Sequence, residues 1–336
     1  MTLPRPVGAF SMRPDVLPAA FTPDLLTRLA DRLDLVSAAE PGDGPAVLGP
    51  DDDRLGEVTV LITSWDAFRL DEQSLDRLPR LRAVVHAAGS IRHHVTEEVW
   101  RRGILVSSAA DANADPVADF TAAAIALGLK RVIPLARRYA AGGGVPAFGE
   151  RVGADGRTVG VVGASRIGRR VIRRLVTAGH AVLVSDPYLD KADAAELGAQ
   201  LTDLDDMCRR SDVLTIHAPA LPETRHLINA DRLKLLRDGA LVVNTARGAL
   251  IDTGALLAEC RAGRLDAILD VTDPEPLPAG HPLFELPNVL ITPHLGGVQG
   301  SEVRRFGAYA TAEVERFTSG QPLLGEVRLE DLPRLA

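Results

Sequence analysis

The stretch Val159-Gly-Val-Val-Gly163-Ala-Ser165-Arg-Ile-Gly168 carries the clearest structural signal in this chain. Its β-branched start predicts a strand, and the amphipathic residues that follow predict a helix. The turn between them has the spacing Gly-x-Gly-x-x-Gly, which binds the pyrophosphate of a dinucleotide where a strand meets a helix. Ser165 replaces the middle glycine, and its hydroxyl could bond a phosphate oxygen. The stretch therefore predicts a nucleotide-binding loop.

An acidic residue downstream of the loop supports this interpretation. Asp186 ends the next predicted strand, where a carboxylate can accept hydrogen bonds from the adenosine ribose of the cofactor. The same negative charge would repel the 2′-phosphate of NADP. The sequence therefore favours NAD, and the alternative is a tight strand–helix turn without a ligand.

Short β-branched segments alternate with longer amphipathic segments along the whole chain, which is typical of parallel sheets built from β-α-β units. Four strands are predicted before the loop, at Val7–Phe10, Val58–Ile62, Leu81–His86 and Ile104–Ser107. Six more are predicted at Thr158–Val162, Ala181–Ser185, Val213–His217, Ala240–Asn244, Ala267–Leu269 and Val289–Ile291. The second series suits a doubly wound dinucleotide-binding domain.

Two predicted helices bear on the domain organisation. A long helix is predicted from Pro116 to about Tyr139. Its alanine-rich start, from Asp119 onward, is apolar on nearly all sides, which predicts burial in a core or in a subunit interface. A final helix, at about Ser301–Ser319, comes too late in the chain to join the second sheet. We expect this final helix to return to the first domain.

Composition limits the partners and the compartment. A chain of 336 residues is long enough for two domains, and a net charge of −7 without a polybasic tract argues against nucleic acid and anionic membranes. No apolar run reaches the roughly 18–20 residues of a membrane span. The segment from Met1 to Pro6 lacks the features of a signal peptide. Two cysteines, Cys208 and Cys260, form no metal-binding pattern and fit a reducing cytoplasm.

Polar residues follow three of the later predicted strands, in the segments Asn244–Gly248, Asp270–Pro276 and Thr292–His294. In open α/β sheets, ligands bind at this edge. The segments contain an arginine that can bind a carboxylate, an acid, and a histidine that can move a proton. Beside a nucleotide-binding loop, these groups predict hydride transfer with acid–base assistance.

At this point the sequence resembles the D-isomer-specific 2-hydroxyacid dehydrogenase family over nearly its whole length. The motifs that match in order and spacing are Gly163–Gly168, Asp186-Pro187, His217–Pro219, Asn244–Gly248, Asp270–Pro276 and Thr292–Gly296. The resemblance implies an α/β protein of two domains. A Rossmann-type NAD-binding domain, residues 111–298, would be inserted into a flavodoxin-like substrate domain formed by residues 1–110 and 299–336. It also implies a homodimer that packs through the alanine-rich helix.

The resemblance assigns Arg247, Glu275 and His294 as catalytic residues. Arg247 would bind the substrate carboxylate and carbonyl oxygen, while His294 would give a proton to that oxygen and Glu275 would stabilise the charged imidazole. Related formate dehydrogenases carry Gln at the position of Glu275, so the glutamate favours hydroxyacid chemistry. Cofactor contacts are expected from Gly163, Ser165, Arg166, Ile167, Gly168, Asp186, His217, Ala218, Pro219, Thr245, Ala246, Arg247, Asp270, His294 and Gly296.

The family also holds the substrate carboxylate with backbone N–H groups of a glycine-rich turn in its first domain. Here the turn reads His86-Ala-Ala-Gly89-Ser-Ile-Arg-His-His94, in which Gly89 and Ser90 match and Ile91 stands where a second glycine is common. Substrate contacts are expected from Ala88, Gly89, Ser90, Arg92, Arg247 and His294. Residues 92–94 either place a positive group near the substrate, which would favour a second polar end, or all face solvent.

The leading hypothesis is a cytoplasmic, NAD-dependent enzyme that interconverts a small 2-oxo acid and its D-2-hydroxy acid. One alternative is an NAD(H)-sensing binding protein similar to the C-terminal-binding corepressors, which keep this fold. Another is oxidation of an unusual anion, such as phosphite or a phosphono acid. No metal is expected.

Overall fold

The computed structural model describes residues 5–38, 44–148 and 152–334. Residues 1–4, which open the segment compared above with signal peptides, lie outside the described residues. The chain divides into two compact units. Unit 1 contains the residues up to Asn113 and those from Val298 onward, and unit 2 contains Ala114–Gly297.

Unit 1 is built on a parallel sheet of five strands in the order β2-β1-β3-β4-β5. Its strands are β1 (Val7–Ser11), β2 (Asp34–Leu35), β3 (Val60–Thr63), β4 (Ala83–His86) and β5 (Leu105–Ser108). Its helices are α1 (Val16–Ala20), α2 (Pro23–Ala30), α3 (Glu72–Asp76), α4 (Glu97–Arg101) and the late α12 (Arg304–Thr318). All residues of β3 and β4 are buried, as expected of strands covered on both faces. The strand order is that of flavodoxin-like folds.

Helix α12 belongs to unit 1, where it contacts α1 and α2. A close approach explains one glycine of this helix, because a Cβ atom at Gly307 would lie 1.9 Å from the carbonyl oxygen of Ala20. Phe306 is fully buried beside it, in the same apolar cluster as Phe10 and Phe21. Helix α12 thus packs with residues from the first part of the chain, within unit 1.

Unit 2 is built on a parallel sheet of seven strands in the order β12-β11-β10-β9-β6-β7-β8. Its strands are β6 (Thr158–Val162), β7 (Ala181–Ser185), β8 (Gln200–Leu201), β9 (Val213–Ile216), β10 (Leu241–Asn244), β11 (Asp266–Leu269) and β12 (Val289–Ile291). The helices are α5 (Ala110–Leu129, which starts in unit 1), α6 (Val132–Ala140), α7 (Arg166–Thr177), α8 (Lys191–Glu196), α9 (Leu204–Arg210), α10 (Ala230–Leu235) and α11 (Thr253–Arg261). Strand order reverses beside β6, at the point where Rossmann folds bind dinucleotides.

The prediction of one long helix from Pro116 to Tyr139 was wrong. The structure has two helices, α5 and α6, separated at Arg131, whose φ angle of 51° is left-handed. The guanidinium of Arg131 donates hydrogen bonds of 2.8 and 3.1 Å to both carboxylate oxygens of the buried Asp266. A contact with a residue distant in sequence holds the chain at this break, and helical periodicity does not report it.

Two short strands, β2 and β8, were also not predicted. Each has only two residues, and each pairs on one side only, at an edge of its sheet. A segment of this length cannot display an alternating or continuous apolar pattern. Pairing with the neighbouring strand therefore identifies β2 and β8 as strands.

Candidate active site

Close backbone packing explains both retained glycines of the nucleotide loop between β6 and α7. Gly163 has a φ angle of 94°, and a Cβ atom there would lie 2.8 Å from the backbone nitrogen of Ala218. A Cβ atom at Gly168 would lie 2.0 Å from the carbonyl oxygen of Gly163. Only glycine fits such contacts. The loop therefore lies against the backbone at His217 and Ala218, which brings two groups of predicted cofactor residues together.

Ser165, at the position of the middle glycine, is the N-cap of α7. Its φ and ψ angles of −62° and 178° are accessible to any residue, and its hydroxyl oxygen accepts a hydrogen bond of 3.2 Å from the backbone N–H of Gly168. The cap satisfies a backbone donor that the helix itself leaves unpaired. The hydroxyl can still donate its own proton, so the expected contact with a phosphate oxygen stays a prediction.

The basic face of α7 is largely engaged within unit 2. Arg174 donates hydrogen bonds of 2.9 and 2.7 Å to Asp115 and Asp119, and Arg170 lies 3.3 Å from Asp115. Arg166, next to the loop, is exposed, and Ile167 packs against the core of the unit. Arg170 and Arg174 thus fix the helix to α5, while Arg166 lies beside the predicted pyrophosphate site.

Asp186 follows β7 directly, and its carboxylate lies at the nucleotide loop. One oxygen accepts a hydrogen bond of 2.7 Å from the backbone N–H of Ala164, and the other accepts one of 2.8 Å from Tyr188. Each carboxylate oxygen keeps a second lone pair that can accept a hydroxyl proton. This carboxylate thus places hydrogen-bond acceptors directly beside the nucleotide loop.

His217 is buried at the end of β9. Its ring nitrogen Nε2 lies 2.9 Å from the hydroxyl of Thr215, and burial lowers the pKa of the imidazole to about 3. The backbone N–H of His217 donates to the carbonyl of Val162, which precedes Gly163. A buried ring that stays neutral does not act as an acid at neutral pH. His217 is therefore relevant to the cofactor through its position beside the nucleotide loop.

Acid should destabilise the protein because His217 and two histidines of unit 1 are buried in the neutral form. Burial lowers the pKa of His217 to about 3 and that of His94 to about 4, and it lowers the pKa of His86 as well. The unfolded chain binds these protons below about pH 6.5, so stability is complete above that pH and is lost as the pH falls. Each histidine should cost on the order of 1 kcal/mol per pH unit.

Urea unfolding near neutral pH and in mild acid measures this loss. His217→Gln should unfold with a weaker pH dependence than the natural protein, because glutamine does not titrate. Equal pH dependence in the two proteins would contradict the prediction.

Asn244 organises the loop that carries Arg247. Its side-chain oxygen accepts a hydrogen bond of 3.0 Å from the N–H of Ala246, and its amide donates one of 2.8 Å to the carbonyl of Arg247. A Cβ atom at the next residue, Gly248, would lie 1.9 Å from the carbonyl carbon of Thr272. The loop after β10 therefore packs tightly on the loop after β11, and Arg247 lies half-buried at this junction. Thr245, in the same loop, is buried.

Asp270, which follows β11 and is 2% exposed, fixes the turn that carries His294. Its carboxylate accepts hydrogen bonds from the hydroxyl of Thr292 at 2.6 Å and from the N–H groups of Leu295 at 2.7 Å and Gly296 at 2.8 Å. A Cβ atom at Gly296 would lie 2.9 Å from this carboxylate. Asp270 was predicted as a cofactor contact, which stays a prediction, and the structure adds its role in holding the turn.

His294 and Glu275 are in direct contact. Nδ1 of the imidazole lies 2.6 Å from Oε1 of Glu275, and the two side chains are 50% and 39% exposed. His294 has a left-handed φ angle of 56°, and its N–H donates to the carbonyl of Asp270 at 3.0 Å. Because Nδ1 faces the glutamate, Nε2 is the nitrogen that can exchange a proton with a substrate.

The predicted substrate turn lies in unit 1, directly after β4. Ala88 is buried, and Gly89 and Ser90 are half-buried. Arg92 and His93 are exposed, and the guanidinium of Arg92 donates a hydrogen bond of 3.0 Å to the carbonyl of Leu332.

One residue, His94, departs from the expectation that residues 92–94 all face solvent. His94 is only 6% exposed and faces the interior of unit 1, so that expectation was wrong for this residue. Ile91, which replaces a glycine common in the family, is 1% exposed and packs in the core.

Over residues 5–38, 44–148 and 152–334, we find no cluster of side chains suited to bind a metal ion. The same residues include no helix long and apolar enough to cross a membrane.

Residues 123–296 match the model of the D-isomer specific 2-hydroxyacid dehydrogenase NAD binding domain. The chain belongs to the D-isomer-specific 2-hydroxyacid dehydrogenase family. This confirms the resemblance found in the sequence, together with NAD as the cofactor of the family's nucleotide-binding domain. The two parallel sheets confirm the predicted fold class.

The chain is similar to relatives that carry two different names. The D-3-phosphoglycerate dehydrogenase of Mycobacterium tuberculosis strain H37Rv is 34% identical over 87% of this chain and 57% of its own length. The chain thus spans little more than half of that relative. The glyoxylate reductase of Aeropyrum pernix is 34% identical over 75% of this chain and 78% of its own length.

Solved structures agree with the fold. The TT0316 protein from Thermus thermophilus is 29% identical, with a TM-score of 0.74 over 96% of this chain and 99% of its own. The apo form of the Rhodotorula graminis D-mandelate dehydrogenase is 24% identical, with a TM-score of 0.81 over 97% of this chain and 98% of its own. The second likeness supports the fold alone.

Three polar residues that hold the site together were not predicted as site residues. Asn244 and Thr292 lie in the quoted motifs, but their hydrogen-bonding roles appear only once the loops after β10, β11 and β12 are assembled. Thr215 fixes the ring of His217 from within a strand. A polar residue within or directly after an otherwise apolar strand is the signal that could have identified them.

Proposed function

We propose that this protein is an NAD-dependent oxidoreductase that interconverts a small 2-oxo acid and its D-2-hydroxy acid. The observation that carries the proposal is the 2.6 Å contact between Nδ1 of His294 and Glu275. An imidazole held by a carboxylate is a suitable general acid and base at neutral pH. Membership of the family supports the same reaction class.

Each side chain of the site has a step in this reaction. Bound NADH supplies the hydride for carbon 2 of the substrate. His294 gives a proton from Nε2 to the carbonyl oxygen, and in the reverse direction it removes that proton. Glu275 stabilises the charged imidazole, and Arg247 binds the carboxylate and the carbonyl oxygen through its planar guanidinium. In unit 1, the N–H groups of Gly89 and Ser90 bind the C1 carboxylate.

A turnover assay tests the proposal. Glyoxylate, pyruvate and hydroxypyruvate are offered with NADH, and D-3-phosphoglycerate is offered with NAD in the opposite direction, since relatives are named for glyoxylate and D-3-phosphoglycerate. We expect rapid oxidation of NADH with at least one 2-oxo acid. Tight binding of NADH without turnover of any of them would instead indicate an NAD(H)-sensing protein.

Cofactor preference should depend on Asp186. The natural protein should have a higher kcat/KM with NADH than with NADPH, because the carboxylate binds the ribose and repels a 2′-phosphate. The double variant Asp186→Ser, Pro187→Arg should shift this preference toward NADPH, as measured by kcat/KM with each cofactor. Equal kcat/KM for both cofactors in the natural protein would exclude the assigned role.

We also propose that the protein is a cytoplasmic homodimer whose interface includes the region of α5 and α6. Large apolar side chains are exposed there and just beyond, at Leu127, Val132, Tyr139, Val145 and Phe148. Phe148, at 88% exposure, would be costly to leave in water. A second copy of the chain is the occupant, because the family resemblance places the dimer contact on this helix. The two buried, free cysteines fit a reducing compartment.

Sedimentation velocity tests the dimer. The natural protein should sediment as a dimer, and Phe148→Glu combined with Tyr139→Glu should shift it to monomer, because buried charges oppose association. Phe284→Glu, at a 46% exposed phenylalanine elsewhere in unit 2, is the control and should stay dimeric. A monomeric natural protein would contradict the proposal.

A further inference from the structure

A buried polar cluster lies directly beneath the substrate turn, which we define as Ala87–Ser90. The hydroxyl of Thr63, at the end of β3, lies 3.0 Å from Nδ1 of His86 and 3.3 Å from Nε2 of His94. Thr63 is fully buried, and the two histidines are 3% and 6% exposed. Their ring centroids are 4.5 Å apart. His86 directly precedes the turn and His94 follows it closely, so the cluster joins both sides of the turn.

Two carbonyl groups of the substrate turn accept hydrogen bonds from serine hydroxyls of unit 1. The hydroxyl of Ser64 donates to the carbonyl of Ala87 at 2.8 Å, and that of Ser108 donates to the carbonyl of Gly89 at 2.8 Å. Burial lowers the pKa of the His86 imidazole, and an interaction with the backbone of Ser90 opposes part of that shift, as a carbonyl acceptor does. Among the described residues, no acceptor is found for the N–H groups of Gly89 and Ser90.

We propose that Thr63, His86 and His94 form a hydrogen-bond relay that positions the substrate turn to bind the carboxylate of the 2-oxo acid. In this relay, Nε2–H of His94 donates to the hydroxyl of Thr63, and that hydroxyl donates to Nδ1 of His86. Nε2–H of His86 then donates to the carbonyl of Ser90. With its carbonyls held inward, the turn presents the N–H groups of Gly89 and Ser90 to an anion.

The direction of the relay follows from the single hydroxyl proton of Thr63 together with the interaction between His86 and the backbone of Ser90. A threonine hydroxyl has one proton to donate, so it donates to one imidazole and accepts from the other. If His86 donated through Nδ1, its Nε2 would carry a lone pair and could not donate to the carbonyl of Ser90. Both rings are neutral, because burial keeps their pKa values below the ordinary range. The three residues are thus positioning residues, and the substrate contact is made by the turn itself.

Thr63→Val tests the relay, because valine keeps the shape of threonine and removes the hydroxyl. We expect KM for the 2-oxo acid to rise about 10- to 100-fold, the size of a lost hydrogen bond to a charged group. The dissociation constant of NADH and kcat should stay close to their natural values. Amide exchange at Gly89 and Ser90, followed by NMR, should become faster. Thr63→Ser keeps the hydroxyl and should restore KM.

A matched control is available in the same unit. Thr311 is also fully buried, and its hydroxyl donates to the carbonyl of Gly307 within α12. Thr311→Val removes a buried hydroxyl from unit 1 without touching the turn, so KM should not change. An unchanged KM in Thr63→Val, or equal losses in both variants, would overturn the relay.

Imidazole tautomers in the natural protein give a test that does not require a variant to fold. Nitrogen-15 NMR should find His86 and His94 both protonated at Nε2, and protonation of His86 at Nδ1 would overturn the relay. The inference rests on the proposed function, since it assigns a 2-oxo acid to the turn. If the natural protein turns over no 2-oxo acid, that function fails, whereas the tautomers and amide exchange still decide whether the relay orders the turn.

Discussion

Replacement of His294 by alanine should lower kcat by about 10²–10⁴-fold, the usual contribution of a general acid or base. The side chain contacts Glu275 through Nδ1, and alanine removes the only atom that we assign to proton transfer. Binding of NADH should be affected far less than kcat, because the variant leaves the expected cofactor contacts at the nucleotide loop and at Asp186 in place. Steady-state kinetics with the best 2-oxo acid and titration of NADH fluorescence measure the two effects separately. Near-normal turnover would overturn the assignment.

Glu275→Gln is the companion variant, because it keeps the shape of the partner and removes its charge. Reduction requires the protonated imidazole and oxidation requires the neutral one, so the reduction rate falls with rising pH and the oxidation rate rises. Glutamine can keep a contact with Nδ1, but it does not stabilise a positive charge on the ring. The variant should therefore have a lower kcat for reduction, as steady-state kinetics measure. An unchanged kcat would mean that Glu275 does not act on His294.

Asp270→Asn should have the second large effect, on both stability and activity. The natural carboxylate accepts three hydrogen bonds at a site that is 2% exposed. Asparagine offers one oxygen and turns an NH₂ group toward an N–H donor, so unfolding should become easier by at least about 3 kcal/mol. The turn that positions His294 then loosens, and a misplaced catalytic group can cost about 10²-fold in rate. Urea unfolding and kcat per folded molecule measure the two effects.

Asp266→Asn is the matched control at the opposite end of β11. Asp266 is also buried, but its partner is Arg131, at the break between α5 and α6. Its substitution should lower stability while leaving kcat per folded molecule close to normal. Equal losses of kcat in both variants would show that destabilisation alone explains the effect at Asp270.

Much of the fold follows from local patterns in the sequence. Strands β6, β7 and β12 have the predicted bounds, because buried parallel strands form continuous apolar runs limited by turn residues. The break at Arg131 could not be predicted in this way. It depends on an ion pair with Asp266, and a left-handed arginine is recognised only when its tertiary partner is known.

The candidate site divides in the same manner. The motifs around Arg247, Glu275 and His294 were visible in the sequence, because functional groups at the ends of parallel strands meet at one sheet edge. The structure adds the 2.6 Å contact between Nδ1 of His294 and Glu275, and the carboxylate of Asp270 beneath the turn. Neither contact can be derived from spacing along the chain, because each contact joins two loops that come after different strands.

Strand and helix periodicity, the glycine loop, the acidic residue that favours NAD and the order of the polar motifs could all be predicted from the chain. These are local properties, set by side-chain type and by neighbours a few residues away. Which hydroxyls and carboxylates hold those motifs depends instead on tertiary packing. The hydroxyl between His86 and His94 comes from Thr63, on the neighbouring strand. Packing of strands distant in sequence selects that partner, because burial makes an unpaired polar group costly.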